Sequence, residues 1–202
     1  MLDFRQTKFV VSAQVIDTLP NDNGKEIAFV GRSNSGKSSA LNAICDQKNL
    51  AKTSSTPGRT RLINLFAVAD GKILVDLPGY GYAKVPEQMK KQWQQSMADY
   101  LQKRRSLTGL VVTMDIRTPL KYHDRMILDW STAANLPALI LLTKCDKLGT
   151  NARQEAVGNV KLALSEFDGN FTVIAFSALK KIGIDQTRAI LDDWFSKPLQ
   201  KQ

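Results

Sequence analysis

The sequence contains few of the residues that build metal centres or disulfide frameworks. Among 202 residues there are two cysteines, Cys45 and Cys145, and one histidine, His123. The cysteines show neither a CxxC nor a Cys/His spacing, which predicts reduced thiols that are structurally incidental. His123 stands alone on a polar helical stretch and is predicted to be a surface residue. Histidine-based catalysis and a zinc site therefore have almost no support.

Long apolar runs are also lacking. No stretch reaches the roughly eighteen uninterrupted apolar residues of a membrane span, and no apolar run is followed by a small-residue cleavage site. We therefore expect a soluble, cytoplasmic protein. A chain of 202 residues is long enough to bury one full core, which favours a single domain.

What the sequence does contain is an alternation of short apolar runs and segments of helical period. The predicted strands are 26–30, 63–68, 72–76, 109–116, 138–143 and 171–177. Most are apolar enough to be buried on both faces, and the turn Asp70-Gly71 predicts an antiparallel hairpin. The alternation predicts a three-layer α/β fold, with helices on both faces of a mostly parallel sheet of six or seven strands and one antiparallel strand.

Residues 25–196 are predicted to form this domain. Residues 1–24 are predicted to be an amino-terminal extension packed on it, with an extra strand in the segment KFVVSA. Residues 197–202 are predicted to be a flexible tail.

The segment GRSNSGKS, residues 31–38, satisfies the pattern GxxxxGK[ST] between a predicted strand and a predicted helix. Backbone N–H groups of such a loop surround the α- and β-phosphates, the lysine reaches the β and γ oxygens, and the final hydroxyl binds Mg²⁺. The pattern predicts a nucleoside triphosphate site and the P-loop NTPase fold. Its predicted nucleotide contacts are Gly31, Arg32, Ser33, Asn34, Ser35, Gly36, Lys37, Ser38 and Ser39.

A second motif, TKCD, ends a predicted strand at residues 143–146. The Asp146 carboxylate can accept hydrogen bonds from the ring N–H and the exocyclic amine of guanine, a donor pair that adenine lacks. Lys144 either packs along the base or braces the phosphate loop, and a backbone N–H after the next strand is predicted to meet the guanine carbonyl. These features favour GTP over ATP. The predicted contacts are Thr143, Lys144, Cys145, Asp146, Phe176, Ser177, Ala178 and Leu179.

A third motif, DLPG, follows the predicted hairpin and supplies the contacts Asp76, Leu77, Pro78 and Gly79. Asp76 is placed to hold a water of the Mg²⁺ shell, and the Gly79 N–H can meet the γ-phosphate. The next residue, Tyr80, cannot orient the attacking water as a glutamine does. Intrinsic hydrolysis is therefore predicted to be slow, at or below about 10⁻⁴ s⁻¹, and no side-chain general base is assigned.

These motifs occur in the order expected of an unpermuted GTPase. The segments GRSNSGKSS, TSSTPGRTRLINLF, DLPGYGYAKVP, LLTKCDK and FSALKK resemble the EngB (YihA/YsxC) family of bacterial ribosome-biogenesis GTPases, within the TrmE, Era, EngA and septin-like class. The resemblance covers about residues 5–196. It implies a role in assembly of the large ribosomal subunit, and a requirement for normal cell division and septation. We expect a monomer that takes GTP or GDP with Mg²⁺.

By similarity to the related TPGxT loop, Thr60 rather than Thr56 is the threonine that binds Mg²⁺. It joins Ser38 and, through water, Asp76. The nucleotide contacts implied in this loop are Gly58, Arg59, Thr60, Arg61 and Leu62, and the catalytic roles fall to Lys37, Thr60 and Gly79.

Asn34 stands where related proteins help to hold a potassium ion against the phosphates. Such an ion would replace an arginine finger. The equally supported alternative is that Asn34 only stabilises the turn of the phosphate loop.

The formal net charge of +9 comes from 28 Lys and Arg against 19 Asp and Glu. Residues 48–61 carry four bases and no acid, and residues 84–105 carry six bases and two acids. By resemblance these are the first switch and the helix after the second, so a switch-side basic face is predicted to contact RNA of the large subunit. The alternative is an ordinary solvated helix face. The bases concerned include Lys48, Lys52, Lys90, Lys91, Lys103, Arg104 and Arg105, with Arg32, Lys180 and Lys181 near the same edge.

Three other functions stay open at this level. One is a GTP-dependent regulator or scaffold of the division machinery without direct rRNA binding. A second is a nucleotide sensor with negligible turnover. The third, a metabolic P-loop kinase, is disfavoured because TKCD has a base-selecting role and no acceptor site is evident.

Overall fold

The computed structural model describes residues 1–21, 23–52, 62–81 and 86–199, and within them strands alternate with helices. The strands are β1 (Lys8–Ala13), β2 (Lys25–Gly31), β3 (Ile63–Ala69), β4 (Lys72–Asp76), β5 (Leu107–Asp115), β6 (Ala138–Thr143) and β7 (Phe171–Ala175). The α-helices are α1 (Lys37–Ile44), α2 (Glu87–Lys103), α3 (Tyr122–Ala133), α4 (Thr150–Leu164) and α5 (Ile184–Ser196). Short 3-10 turns cover Phe4–Gln6, Ile16–Thr18 and Cys145–Lys147.

These strands belong to one sheet in the order β1-β3-β4-β2-β5-β6-β7. Within it β3 runs against its neighbours, pairing antiparallel with both β1 and β4. The predicted hairpin turn is present, and Gly71 takes φ 64°, a conformation that glycine adopts at little cost. The predicted three-layer, mostly parallel α/β fold with one antiparallel strand is confirmed.

The sheet is covered on both faces because its central strands are apolar on both. Every residue of β6, and six of the seven residues of β2, are buried. One face packs against α2, α3 and α4, and the other against α1 and α5. This burial on both sides is what a parallel strand at the middle of a sheet requires.

Two edges of the sheet matter for function. We call the edge where β2, β4, β5 and β6 end the carboxyl edge, and the edge where they begin the amino edge. Ligands of open α/β sheets bind outside the carboxyl ends of the strands. The amino edge receives the end of α2, because the Leu107 N–H donates to the Arg104 carbonyl oxygen (3.2 Å) just before β5.

Both cysteine side chains are fully buried. Burial raises the pKa of the Cys45 thiol to about 11 and raises that of Cys145 as well. Among the described residues, no helix is both long and apolar enough to cross a membrane.

Candidate functional site

The predicted motifs meet at the carboxyl edge. Backbone hydrogen bonds continue the sheet into the loops: Leu77 N–H donates to the Phe29 carbonyl oxygen (3.0 Å), and Cys145 N–H to that of Phe176 (3.1 Å). The phosphate loop, the DLPG segment, the TKCD segment and the segment after β7 therefore leave the same edge of one sheet.

Two glycines shape the phosphate loop. Gly36 takes φ 86° immediately before α1, where other residues are strained. A Cβ on Gly31 would lie 2.1 Å from the Thr113 Oγ1 and 2.4 Å from the Ser35 Oγ. The loop can pass this close to β5 only without a side chain at position 31, which explains a glycine there.

The loop is also fixed from beneath by buried hydroxyl groups. Ser35 Oγ and Thr113 Oγ1 are 2.7 Å apart, and Thr143 Oγ1 donates to the Ser35 carbonyl oxygen. Sequence reasoning did not identify Thr113. A polar residue near the end of an otherwise apolar strand was the available signal.

Lys37 and Asp76 come together across the site, where the Lys37 Nζ donates to the Asp76 Oδ1. Their side chains are only 10% and 6% exposed. Ser38 lies in the same first turn of α1 and Asp76 ends β4. The structure thus gathers an ammonium, a carboxylate and a hydroxyl-bearing turn at the mouth of the phosphate loop.

Lys144 braces the phosphate loop, which was one of its two predicted roles. Its Nζ donates to the Asn34 carbonyl oxygen (2.7 Å) and lies 3.1 Å from the Asp115 Oδ2. Asp115, which the sequence analysis did not single out, ends β5 on the same edge. A hydrogen bond from Arg117 holds the pKa of Asp115 well below its usual range, so this carboxylate stays charged beside Lys144.

Asp146 is held by Ser177, whose Oγ donates to the Asp146 Oδ1 (2.5 Å). This hydrogen bond lowers the pKa of the Asp146 carboxyl, which keeps it an acceptor. The Ser177 Oγ in turn accepts from the Lys180 N–H (3.0 Å). Asp146 is therefore oriented by the loop after β7.

Several predicted contact residues have buried side chains. Leu77, Cys145 and Phe176 are each at most 1% exposed, so they face this site only through backbone atoms. Leu62 is described just before β3. The predicted contacts Gly58, Arg59, Thr60 and Arg61 lie outside the described residues, and the Thr60 assignment stays a prediction.

The prediction that Arg104 belongs to a switch-side basic face is wrong. Its guanidinium is buried, and its Nη2 donates to the Glu26 Oε1 (2.7 Å) at the start of β2. Helix α2 runs back from the DLPG segment to the start of β5. Lys103, Arg104 and Arg105 therefore lie near the amino edge, at the opposite end of the strands from the phosphate loop. The number of basic residues in a segment does not reveal the direction in which its helix runs.

The sequence is similar to those of known proteins. The family described as 50S ribosome-binding GTPase matches residues 26–144, more than half of the chain. The fold, the edge site and this match define a GTPase of the P-loop class.

A probable GTP-binding protein EngB from Salmonella paratyphi C (strain RKS4594) is 58% identical over 196 residues, covering 97% of this chain and 93% of the relative. The chain therefore belongs to the EngB family of GTPases, as its motifs predicted.

Two solved structures share the fold at lower identity. A crystal structure of a probable GTP-binding protein engB has a TM-score of 0.66 and 20% identity, covering 84% of this chain and 98% of the other. A point variant of Aquifex aeolicus Era bound to GDP·AlF4⁻ has a TM-score of 0.63 and 21% identity, covering 84% of this chain and 56% of the other.

Proposed function

We propose that this protein binds and slowly hydrolyses GTP at the carboxyl edge and acts in assembly of the large ribosomal subunit. The observation that carries the proposal is the match to a 50S ribosome-binding GTPase family over residues 26–144, which include the phosphate loop, the DLPG segment and the first two residues of TKCD. The same activity would also be required for normal cell division and septation, as the family resemblance implies. We place this activity in the cytoplasm and assign it to a monomer, with residues 25–196 as the GTP-binding domain.

The phosphates would be held by the N–H groups of residues 31–39 and by Lys37. The contact between Lys37 and Asp76 at the mouth of the loop supports this assignment. It holds the Lys37 ammonium beside the space that the β and γ oxygens would occupy. Gly79 would report the γ-phosphate through its N–H.

The oxygen groups of Ser38 and Asp76 fit Mg²⁺, which prefers hard oxygen ligands and retains water. Thr60 would complete the set when GTP is bound. Held by these residues, Mg²⁺ would supply positive charge that offsets the negative charge of the transferring phosphoryl group. The chain's own part is to hold Asp76 buried at the end of β4.

Asn34 has an explanation in the turn itself. It adopts φ 63°, a left-handed conformation that asparagine tolerates better than most residues. Its carbonyl oxygen already accepts from Lys144. We also propose that a potassium ion binds near the exposed Asn34 side chain. The rates of GTP hydrolysis in K⁺ and in Na⁺ buffers test this.

Guanine selection leads to a prediction for Asp146. Asp146→Asn replaces a carboxylate acceptor with an amide, so we expect GTP affinity to fall about 10- to 100-fold, as for loss of charged hydrogen bonds. Xanthosine triphosphate, which has a carbonyl where guanine has an amine, should bind the variant better than GTP. Competition against a fluorescent GDP measures both, and unchanged GTP affinity would remove Asp146 from the base site.

The ribosomal role is tested by GTP hydrolysis in KCl with and without purified large subunits. We expect stimulation of about tenfold or more, equivalent to about 1.4 kcal/mol of barrier. Large subunits without the protein, and small subunits with it, serve as controls, and a matched NaCl series tests potassium. Absence of both stimulation and binding in either nucleotide state would favour the division regulator instead.

A matched pair of charge reversals locates the basic face in the same experiment. Lys181 lies in the loop after β7 at the carboxyl edge, whereas Lys103 lies at the amino edge and pairs with Asp99 (3.3 Å). Lys181→Glu should weaken stimulation and flatten its salt dependence, while Lys103→Glu should not. Equal effects of the two reversals would contradict a face at the carboxyl edge.

A further inference from the structure

The residue after the DLPG segment is buried rather than directed at the site. Tyr80 is only 2% exposed, and its hydroxyl donates to the Asp124 Oδ1 at 2.6 Å. Asp124 lies in the first turn of α3, 44 residues further along the chain, and is itself 1% exposed. A buried tyrosine needs a partner for its hydroxyl, and here the partner is a carboxylate on another element.

The backbone of Tyr80 joins the DLPG segment to the phosphate loop. The Tyr80 N–H donates to the Gly31 carbonyl oxygen (3.2 Å), and the Ser33 N–H donates to the Tyr80 carbonyl oxygen (2.7 Å). These bonds extend the pairing of β4 with β2 beyond the strands themselves. The position of Gly79, next to Tyr80, is therefore set relative to the loop that would hold the phosphates.

The Tyr80 side chain is also packed against two helices. Its ring centroid lies 5.0 Å from that of Trp93 on α2 and 5.9 Å from that of His123 on α3. The Trp93 Nε1 donates to the Pro78 carbonyl oxygen (3.1 Å). The Asp124 Oδ2 accepts from the Lys121 N–H (2.9 Å), so the carboxylate is fixed at the start of α3.

We propose that Tyr80 is a positioning residue for hydrolysis, and that its hydrogen bond to Asp124 holds the Gly79 N–H at the place required by the γ-phosphate. The role rests on the proposed hydrolysis of GTP at this edge. The Tyr80 side chain would not contact the nucleotide, because it is buried and its hydroxyl is directed to Asp124. It acts through Gly79. The Gly79 N–H can stabilise the negative charge on the transferring γ-phosphoryl group only if its position is fixed before the reaction.

Tyr80→Phe tests the role, because it keeps the ring and removes only the hydroxyl. In single-turnover hydrolysis at saturating GTP and Mg²⁺, we expect the rate to fall about tenfold, within the loss that a small misplacement of a reacting group causes. Affinities for GTP and GDP should stay within about twofold, since the phosphate loop and Asp146 are unchanged. A rate loss without an affinity loss is a result that general destabilisation does not produce.

Tyr100→Phe is the matched control within the same chain. The Tyr100 hydroxyl donates to the Glu26 Oε2 at 2.7 Å, so this variant also removes a buried tyrosine–carboxylate hydrogen bond, but near the amino edge. It should lower the unfolding midpoint to a similar extent and leave the hydrolysis rate unchanged. An equal rate loss in Tyr100→Phe would overturn the positioning role.

Asp124→Ala provides an independent approach to the same hydrogen bond. It should slow hydrolysis as Tyr80→Phe does, and the double variant should be no slower than either single variant. Wild-type turnover with an unchanged Tyr80→Phe rate overturns only the role of Tyr80. Absence of wild-type turnover would overturn the proposed hydrolysis as well, so the two failures are distinguishable.

Discussion

Arg104→Ala is expected to lower the free energy of unfolding by about 3–5 kcal/mol, the usual cost of removing one partner from a buried ion pair. The guanidinium donates to the Glu26 carboxylate from Nε to both oxygens at 3.1 Å and from Nη2 to Oε1 at 2.7 Å. Its Nη2 also donates to the Pro20 carbonyl oxygen at 3.0 Å. The substitution therefore leaves a buried carboxylate without its cation and also frees the segment before β2.

Denaturant-induced unfolding of the nucleotide-free protein measures this loss. Lys103→Ala is the control, since Lys103 is exposed and pairs with Asp99 at the surface, and its effect should be within about 0.5 kcal/mol. If Arg104→Ala changed the unfolding free energy no more than Lys103→Ala, the buried pair would not stabilise the fold. The Arg104→Ala variant should keep its nucleotide affinity under conditions where it remains folded, because the ion pair and the phosphate loop lie at opposite ends of β2.

Lys37→Ala is expected to reduce the rate of single-turnover GTP hydrolysis by about 10²–10³-fold. In other enzymes, a loss of this size follows removal of one preorganised hydrogen-bond donor to the charge that develops in the transition state. The Lys37 ammonium is largely buried at the loop mouth, where electrostatic interactions are stronger than in water. It would reach the β and γ oxygens, so GTP affinity should fall more than GDP affinity. Single-turnover hydrolysis sampled over hours in the presence of large ribosomal subunits measures the rate, and nucleotide titration measures the affinities.

The substitution also removes the ammonium partner of Asp76, so its unfolding midpoint has to be compared with that of the wild type. Lys147→Ala is a useful control because Lys147 lies in the same TKCDK segment but is exposed. Its hydrolysis rate should match that of the wild type. A Lys37→Ala rate within about threefold of wild type, well below the usual effect of a lost donor, would mean that another group supplies the charge.

The fold was predictable because its strands are short apolar runs with clear ends. The predicted strand 72–76 begins directly after the Asp70-Gly71 turn and ends at Asp76, and the observed β4 has the same bounds. The strand predicted for 171–177 ends two residues earlier. Phe176 still accepts a hydrogen bond from Cys145, but Ser177 pairs with Ile182, so the backbone leaves the sheet at Ser177.

The candidate site was predictable where a motif is contiguous, and not where partners are distant. Lys37 and Asp146 were identified because each stands in a local pattern with a known geometry. Arg104 and Glu26 are 78 residues apart, and their pairing depends on α2 returning to the start of β2. No local periodicity encodes that distance, so Arg104 looked like one more surface base.

Tyr80 illustrates the same limit at the site itself. The sequence shows directly that no glutamine follows Gly79, but no local pattern identified Asp124 as the partner of Tyr80. The hydrogen bond between them depends on how α3 packs against the DLPG segment. Thr60 has no such outcome, since it lies outside the described residues.

The burial of both native thiols has a practical consequence for labelling with fluorophores. A thiol whose pKa is about 11, as for Cys45, carries about one thiolate in 10⁴ at pH 7, and the thiolate is the species that attacks maleimides. Cys145 is equally inaccessible within the core. A single cysteine introduced on the surface can therefore be modified selectively in the otherwise native sequence, which allows a dye at the carboxyl edge to report nucleotide exchange in real time.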